Sequence, residues 1–195
     1  MKRMEHTDKM KDVNSYAMTH GILLGAWGVA TFFVAVLALS RPLFSFTSNF
    51  LLILSPFFAT ALTIRYRQKT TPPGEGFGFG RGYVHTLLTG LYACVWIALT
   101  VYIYLKFFDG GAVFDAFAAL VSQPENAALF EQLEGLGYLE DIYAATGAKN
   151  MTEVVDIMRE LSPANYAGMI VSTTLITAPI ISAIIALFTM RRSLK

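Results

Sequence analysis

The stretch of this chain most suggestive of chemistry is GEGFGFGRGY at residues 74–83, where Gly74, Gly76, Gly78, Gly80 and Gly82 occupy alternate positions. Glycine-rich loops hold phosphate when their amides converge on an anion at a helix N-terminus. Here the pattern fails in detail. A GxGxxG motif would need glycine where Phe79 or Tyr83 stands, and GxxxxGK[ST] would need lysine where Arg81 follows Gly80. No strand is predicted ahead of the run. It follows the basic RYRQK and precedes a long apolar segment, so it reads as a flexible interfacial entry. In that reading Phe77, Phe79 and Tyr83 settle at the headgroup level, and Arg81, Arg65, Arg67 and Lys69 meet lipid phosphate non-specifically.

The histidines are the next candidates. His20 opens the first apolar stretch and His85 the third, so the two could approach each other as ligands or as a proton relay. The preferred reading is simpler: histidines at the headgroup level that need no partner. Two histidines are too few for a zinc site, and His6 has no recognisable spacing to either. The chain has no HExxH, no Walker sequence and no nucleophile near a base. No catalytic, cofactor-binding or metal-ligating residue is therefore assigned, no cofactor is expected, and an enzyme is not expected either.

What must position these residues is a set of membrane spans. Four stretches lack Asp, Glu, Lys and Arg: Val13–Ser40, Pro42–Ile64, Gly82–Leu105 and Leu161–Met190. A helix crosses a bilayer core with about 20 residues, and uncharged runs of this length are rare in soluble domains. The chain reads as one membrane domain, 1–195, with spans at 17–39, 43–64, 83–107 and 164–190, a loop at 65–82 and an insert at 109–163. The second span is the weakest; it carries Pro56 and has a re-entrant alternative. The basic N-terminal region and Ala38-Leu39-Ser40 resemble a signal peptide, but the apolar stretch is about twice a normal h-region, so an uncleaved span is expected. Cys94, the single cysteine, lies within span three and reads as a packing residue.

Charge asymmetry predicts orientation. Residues 109–163 hold ten acidic and two basic residues, a net of −8, against +9 for the remainder. Lys2, Arg3, Lys9, Lys11, Arg65, Arg67, Lys69, Arg81, Arg191, Arg192 and Lys195 flank the spans on one side. Only Arg41, Lys106, Lys149 and Arg159 lie on the other. Basic residues stay cytoplasmic, so both termini and the 65–82 loop are expected inside and the insert outside, in a cell (inner) membrane. Phe44, Phe46, Tyr66, Tyr83, Tyr102, Tyr104 and Tyr166 mark span ends where amphipathic rings favour the interface; Trp27 and Trp96 lie deeper.

The insert reads as two or three short amphipathic helices. Ser122-Gln123-Pro124-Glu125 looks like a capping-box start and Asn150-Met151-Thr152-Glu153 like another. Met151, Val154, Val155, Met158 and Leu161 recur at helical spacing opposite Glu153, Asp156 and Glu160. Within the spans, Gly21, Gly25 and Gly28 form a small-residue stripe suited to close helix approach. Ser172, Thr173, Thr174, Thr177 and Ser182 make span four polar. No span carries a charge away from its ends, which weakens a proton-coupled transporter; Pro179 leaves room for a broken helix.

Several segments together resemble a known family. They are THGILLGAWGVATFF in span one, IRYRQK ending span two, FGFGRGYVHTLLTGLYACVWIALTVYIYLKFFD through span three, and IISAIIALFTMRR at the last span. The layout from Tyr16 to Arg192 is similar to a family of bacterial four-span membrane proteins of unknown function. The alternating glycines depart from it. The resemblance implies architecture and transfers no catalytic residue. The expectation is an all-α bundle of four transmembrane helices with an extracytoplasmic helical insertion. Its expected role is that of a non-enzymatic scaffold or accessory protein. The alternative is an oligomeric transporter or channel subunit. Expected partners are the lipid bilayer and either a protein partner or a second copy meeting its transmembrane helices; nucleic acid is not expected.

Overall fold

The computed structural model describes residues 2–41 and 43–193, with side chains of 12–41 and 44–193. Lys195 of the charge count, and the side chains of Lys2, Arg3, His6, Lys9 and Lys11, lie outside what is described. Among the described residues eight helices follow in order: α1 Lys2–Ser40, α2 Leu43–Thr70, α3 Phe79–Phe107, α4 Ala112–Val121, α5 Pro124–Gly135, α6 Glu140–Thr146, α7 Met151–Glu160 and α8 Pro163–Thr189. Four contain segments long and apolar enough to cross a bilayer: Asp12–Ser40, Phe44–Thr70, Phe79–Phe107 and Pro163–Thr189. The fold is thus all-helical with four span-like helices. Lone phenylalanines point away from the bundle on several of them, Phe57 at 66% and Phe188 at 78% exposure, as a lipid-facing surface requires.

The helices run up, down, up, down. Val13 near the start of α1, Tyr66 near the end of α2 and Phe77 just before α3 pack in one cluster at one end. The end of α8 joins them, since Phe77 and Arg191 exchange backbone hydrogen bonds of 2.8 and 3.0 Å. Helix α3 is the centre, packed along α1 on one flank and α8 on the other; α2 leans mainly on α1. The buried residues of α3 are small or polar: Gly82, Thr86, Thr89, Ala93, Cys94 and Ala98 among them. Small contact surfaces let helix axes approach, and dispersion across them replaces the hydrophobic drive that lipid removes. The α1 glycine stripe works this way inside the chain. Gly21 faces Tyr92 and Thr89, Gly25 faces Trp96, and Gly28 faces Ile97.

One alternative falls and two expectations about the elements change. Helix α2 passes unbroken through Pro56 and α8 through Pro179, so neither segment turns back on itself. The insert forms four helices, α4–α7, not two or three. Ser122 does not cap α5; its hydroxyl donates to the Ala118 carbonyl at 2.8 Å, the turn behind it, and Gln123 stands at the N-cap of α5 without a side-chain cap bond. The Asn150 signature does work as read. Asn150 Oδ1 accepts from Glu153 N at 2.9 Å, and Glu153 Oε2 accepts from Lys149 N at 2.8 Å. Helix α7 then buries Val154 and Val155 and packs on α4. Asp109 starts α4 by accepting the amides of Gly111 and Val113, each at 3.0 Å, while Gly110 and Gly111 take the positive φ values the reversal needs.

Candidate functional site

The site grows from the α1–α3 contact. The close glycine approach sets the rotation of both helices so that His20 and His85 face inward together. His20 Nδ1 lies 3.0 Å from His85 Nε2, and the two residues are 4% and 0% exposed. This overturns the reading of unpartnered headgroup-level histidines. A buried imidazole favours partners at its nitrogens; His85 has both within reach of other helices, Nε2 at His20 and Nδ1 at Thr63, while His20 uses Nδ1.

The network continues into α2. Thr63 Oγ1 lies 3.2 Å from His85 Nδ1 and 2.9 Å from Thr86 Oγ1. Both hydroxyls also reach backbone one turn earlier, Thr63 to Ala59 O at 3.1 Å and Thr86 to Gly82 O at 2.9 Å. The result is a ladder, His20–His85–Thr63–Thr86, joining three helices. Tyr66 lies flat on His85, ring centroids 4.3 Å apart and planes 1° from parallel. Tyr66 is therefore buried in the bundle, not displayed at the headgroup level. Among the described residues, no three His, Cys, Asp or Glu side chains converge as a metal site would require.

Thr86 also lines a cavity of about 460 Å³ between the spans. Its wall is mostly aliphatic and aromatic. Trp27, Gly28 and Thr31 contribute from α1, Ser55 and Pro56 from α2, Gly90 and Cys94 from α3, and Thr174, Thr177 and Ser182 from α8. The cavity exists because α2 touches α3 and α8 much less than it touches α1. Most polar groups of the wall are satisfied within their helices. Thr31, Ser55, Thr174 and Thr177 donate to the carbonyl four residues earlier at 2.8–3.1 Å. Trp27 Nε1 reaches Leu51 O and Ser55 Oγ across the α1–α2 contact at 3.2 and 3.1 Å. Ser172 and Thr173 line a separate shallow groove on the outer face of α8, so the polar residues of that span divide between two surfaces.

Within the glycine run, Phe77 is reassigned. Phe77 is 1% exposed and packs against Tyr66 and Val13, so it faces protein rather than lipid headgroups. The Arg191 guanidinium holds the loop by donating to Pro72 O at 2.7 Å and to Glu75 O at 2.9 and 3.1 Å. Arg67 Nη1 donates to Thr189 O at 2.7 Å, capping the last turn of α8. Arg81 lies over the Phe77 and Tyr66 rings, 5.5 and 6.0 Å from their centroids. Phe77 and Phe79 look alike inside the glycine-rich stretch, so nothing local marked Phe77 as the one that docks and Phe79 as the one left 42% exposed.

Bundle, cavity and buried ladder together define a class: multi-pass helical membrane proteins with a polar network at one end of the spans. Residues 19–191 match the family described as "Protein of unknown function (DUF4199)". The chain belongs to that family, whose match covers most of its length. Neither the curated proteins nor the solved structures provided a match.

Proposed function

We propose that this chain is a non-enzymatic accessory protein of a bacterial cytoplasmic membrane that takes an apolar ligand, such as a lipid acyl chain, between its spans. The inter-span cavity carries this reading. Its volume of about 460 Å³ lies within the ~300–1,000 Å³ of small-molecule sites, which are largely apolar with a few oriented polar groups. Its threonine hydroxyls bond their own helix backbones, so the wall favours binding over reaction. The charge asymmetry supports an orientation with the termini and the α2–α3 connection cytoplasmic and α4–α7 outside.

The test is photocrosslinking of the purified protein with a diazirine-bearing fatty acid. Thr177 lines the cavity, whereas Ile176 beside it is 70% exposed on the outer face. T177W should cut labelling at cavity residues several-fold, with I176W leaving it unchanged. Equal labelling in the two variants rules the reading out.

A second reading, a scaffold role through the insert, is favoured by Leu136 and Tyr138 beyond α5, 70% and 71% exposed. It expects a protein that co-purifies in mild detergent and is lost with L136D/Y138D. A transport path through an oligomer would instead make a cysteine at position 177 reactive to aqueous thiol reagents.

A further inference from the structure

At the other end of the ladder from Thr86, α1 and α2 enclose a second pocket of about 200 Å³. Ser15, Tyr16, Thr19 and His20 line it from α1, and Arg65 and Lys69 from α2. Ser15 and Thr19 stand one turn apart, as do Arg65 and Lys69, so each pair shares a helix face. Two cations meeting two hydroxyls and an imidazole form a donor-rich concavity with net positive charge. Thr19 Oγ1 presently donates to Ser15 O at 3.2 Å, a long contact within its own helix.

The ladder decides what His20 offers this pocket. Nδ1 is committed to His85 at 3.0 Å, so a ligand meets Nε2. Every rung joins groups that can donate or accept, which permits two polarities. In one, Thr86 donates to Thr63, Thr63 to His85 Nδ1, and His85 Nε2–H to His20 Nδ1, each hydroxyl turning its single proton into the ladder and away from the Gly82 or Ala59 carbonyl. An imidazole accepting at Nδ1 carries its proton on Nε2. His20 then presents an N–H to the pocket while remaining neutral, and no charge is buried. Among the described residues, the titratable groups around it include Tyr16, Arg65, Lys69 and His85.

We infer that this pocket binds a phosphate-class anion. Arg65 and Lys69 supply charge, Arg65 with a fork suited to two phosphate oxygens. Ser15, Thr19 and the His20 Nε2–H supply directed donors. His85 and Thr63 are positioning residues that set the His20 tautomer. An anionic lipid headgroup and a free phosphate share this chemistry.

Full-length protein with ¹⁵N-labelled histidine, in uncharged maltoside micelles, is titrated with inorganic phosphate and separately with short-chain phosphatidylglycerol; the matching phosphatidylcholine is the control. H20Q assigns the His20 resonance. The His20 Nε2 signal should move saturably towards the hydrogen-bonded N–H position. A response to inorganic phosphate identifies a free-anion site; one confined to phosphatidylglycerol identifies a headgroup site. R65Q/K69Q should weaken binding at least tenfold. H85Q should keep binding within a few-fold but lose the Nε2–H signature, which a purely structural role for His85 does not predict. Equal affinity in wild type and R65Q/K69Q, a response to phosphatidylcholine equal to that with phosphatidylglycerol, or a His20 signal indifferent to both anionic probes overturns the proposal.

Discussion

A methyl group added at Gly21 meets Tyr92 Cβ, and one added at Gly25 lies 3.0 Å from Trp96 Cβ; one added at Gly80 meets nothing within 4 Å. The three positions therefore respond with opposite signs. G21A and G25A should each destabilise the bundle by about 1–3 kcal/mol, the usual range for overpacking. G80A, at the exposed start of α3, should stabilise it by about 0.4–1 kcal/mol through the unfolded chain. Thermal unfolding in a fixed detergent, followed by far-UV circular dichroism, checks both signs. The histidine pair makes a coupling prediction. H20L and H85L each strand a buried partner and should cost about 1–3 kcal/mol. The double variant should cost less than the sum by at least about 0.5 kcal/mol; strict additivity would mean the 3.0 Å contact carries no coupling. That pair was only half legible in the sequence. The positions of His20 and His85 near the same end of two spans were readable. Their meeting depends on how α1 is rotated against α3, and that rotation follows from glycine contacts with Tyr92, Trp96 and Ile97 that no spacing rule selects.

The helices differ in how firmly their ends are held. The end of α8 is tied twice, by Arg67 to Thr189 O and by Arg191 to the 72–77 connection. R191Q should therefore free that connection. Limited trypsin cleavage around Arg67, Lys69 and Arg81 should run roughly tenfold faster, equivalent to ~1.4 kcal/mol of lost local stability. Unchanged cleavage would mean that Phe77 packing and its backbone bonds to residue 191 hold the loop without the guanidinium. The basic cluster of RYRQK was legible as a block of charge at the end of a span. The carbonyl-capping work of Arg67 and Arg191 was not, because it depends on two segments far apart in sequence ending at the same corner. The capping signals show the same division. Asn150 reaches Glu153 N within one turn, so local sequence suffices. Ser122 sits at the junction of α4 and α5, and its hydroxyl serves the helix that ends there.

For the whole molecule, the four spans were legible because an unpaired charge in a bilayer core is costly and an uncharged run of this length has few other uses. The helices outrun those runs: α2 continues through Arg65, Arg67 and Lys69 to Thr70, since long basic side chains reach water without the backbone unwinding. Alternating direction puts the starts of α1 and α3 with the ends of α2 and α8. Reporters fused after Lys195 and within 122–150 should thus land on opposite sides of the membrane; the same side for both would break the proposed topology. The clasp between Phe77 and Arg191 also orders assembly in time. Arg191 is synthesised 119 residues after Pro72, whose carbonyl it holds. During translation the α2–α3 connection leaves the ribosome long before its latch exists. That corner stays unlatched until α8 has been made.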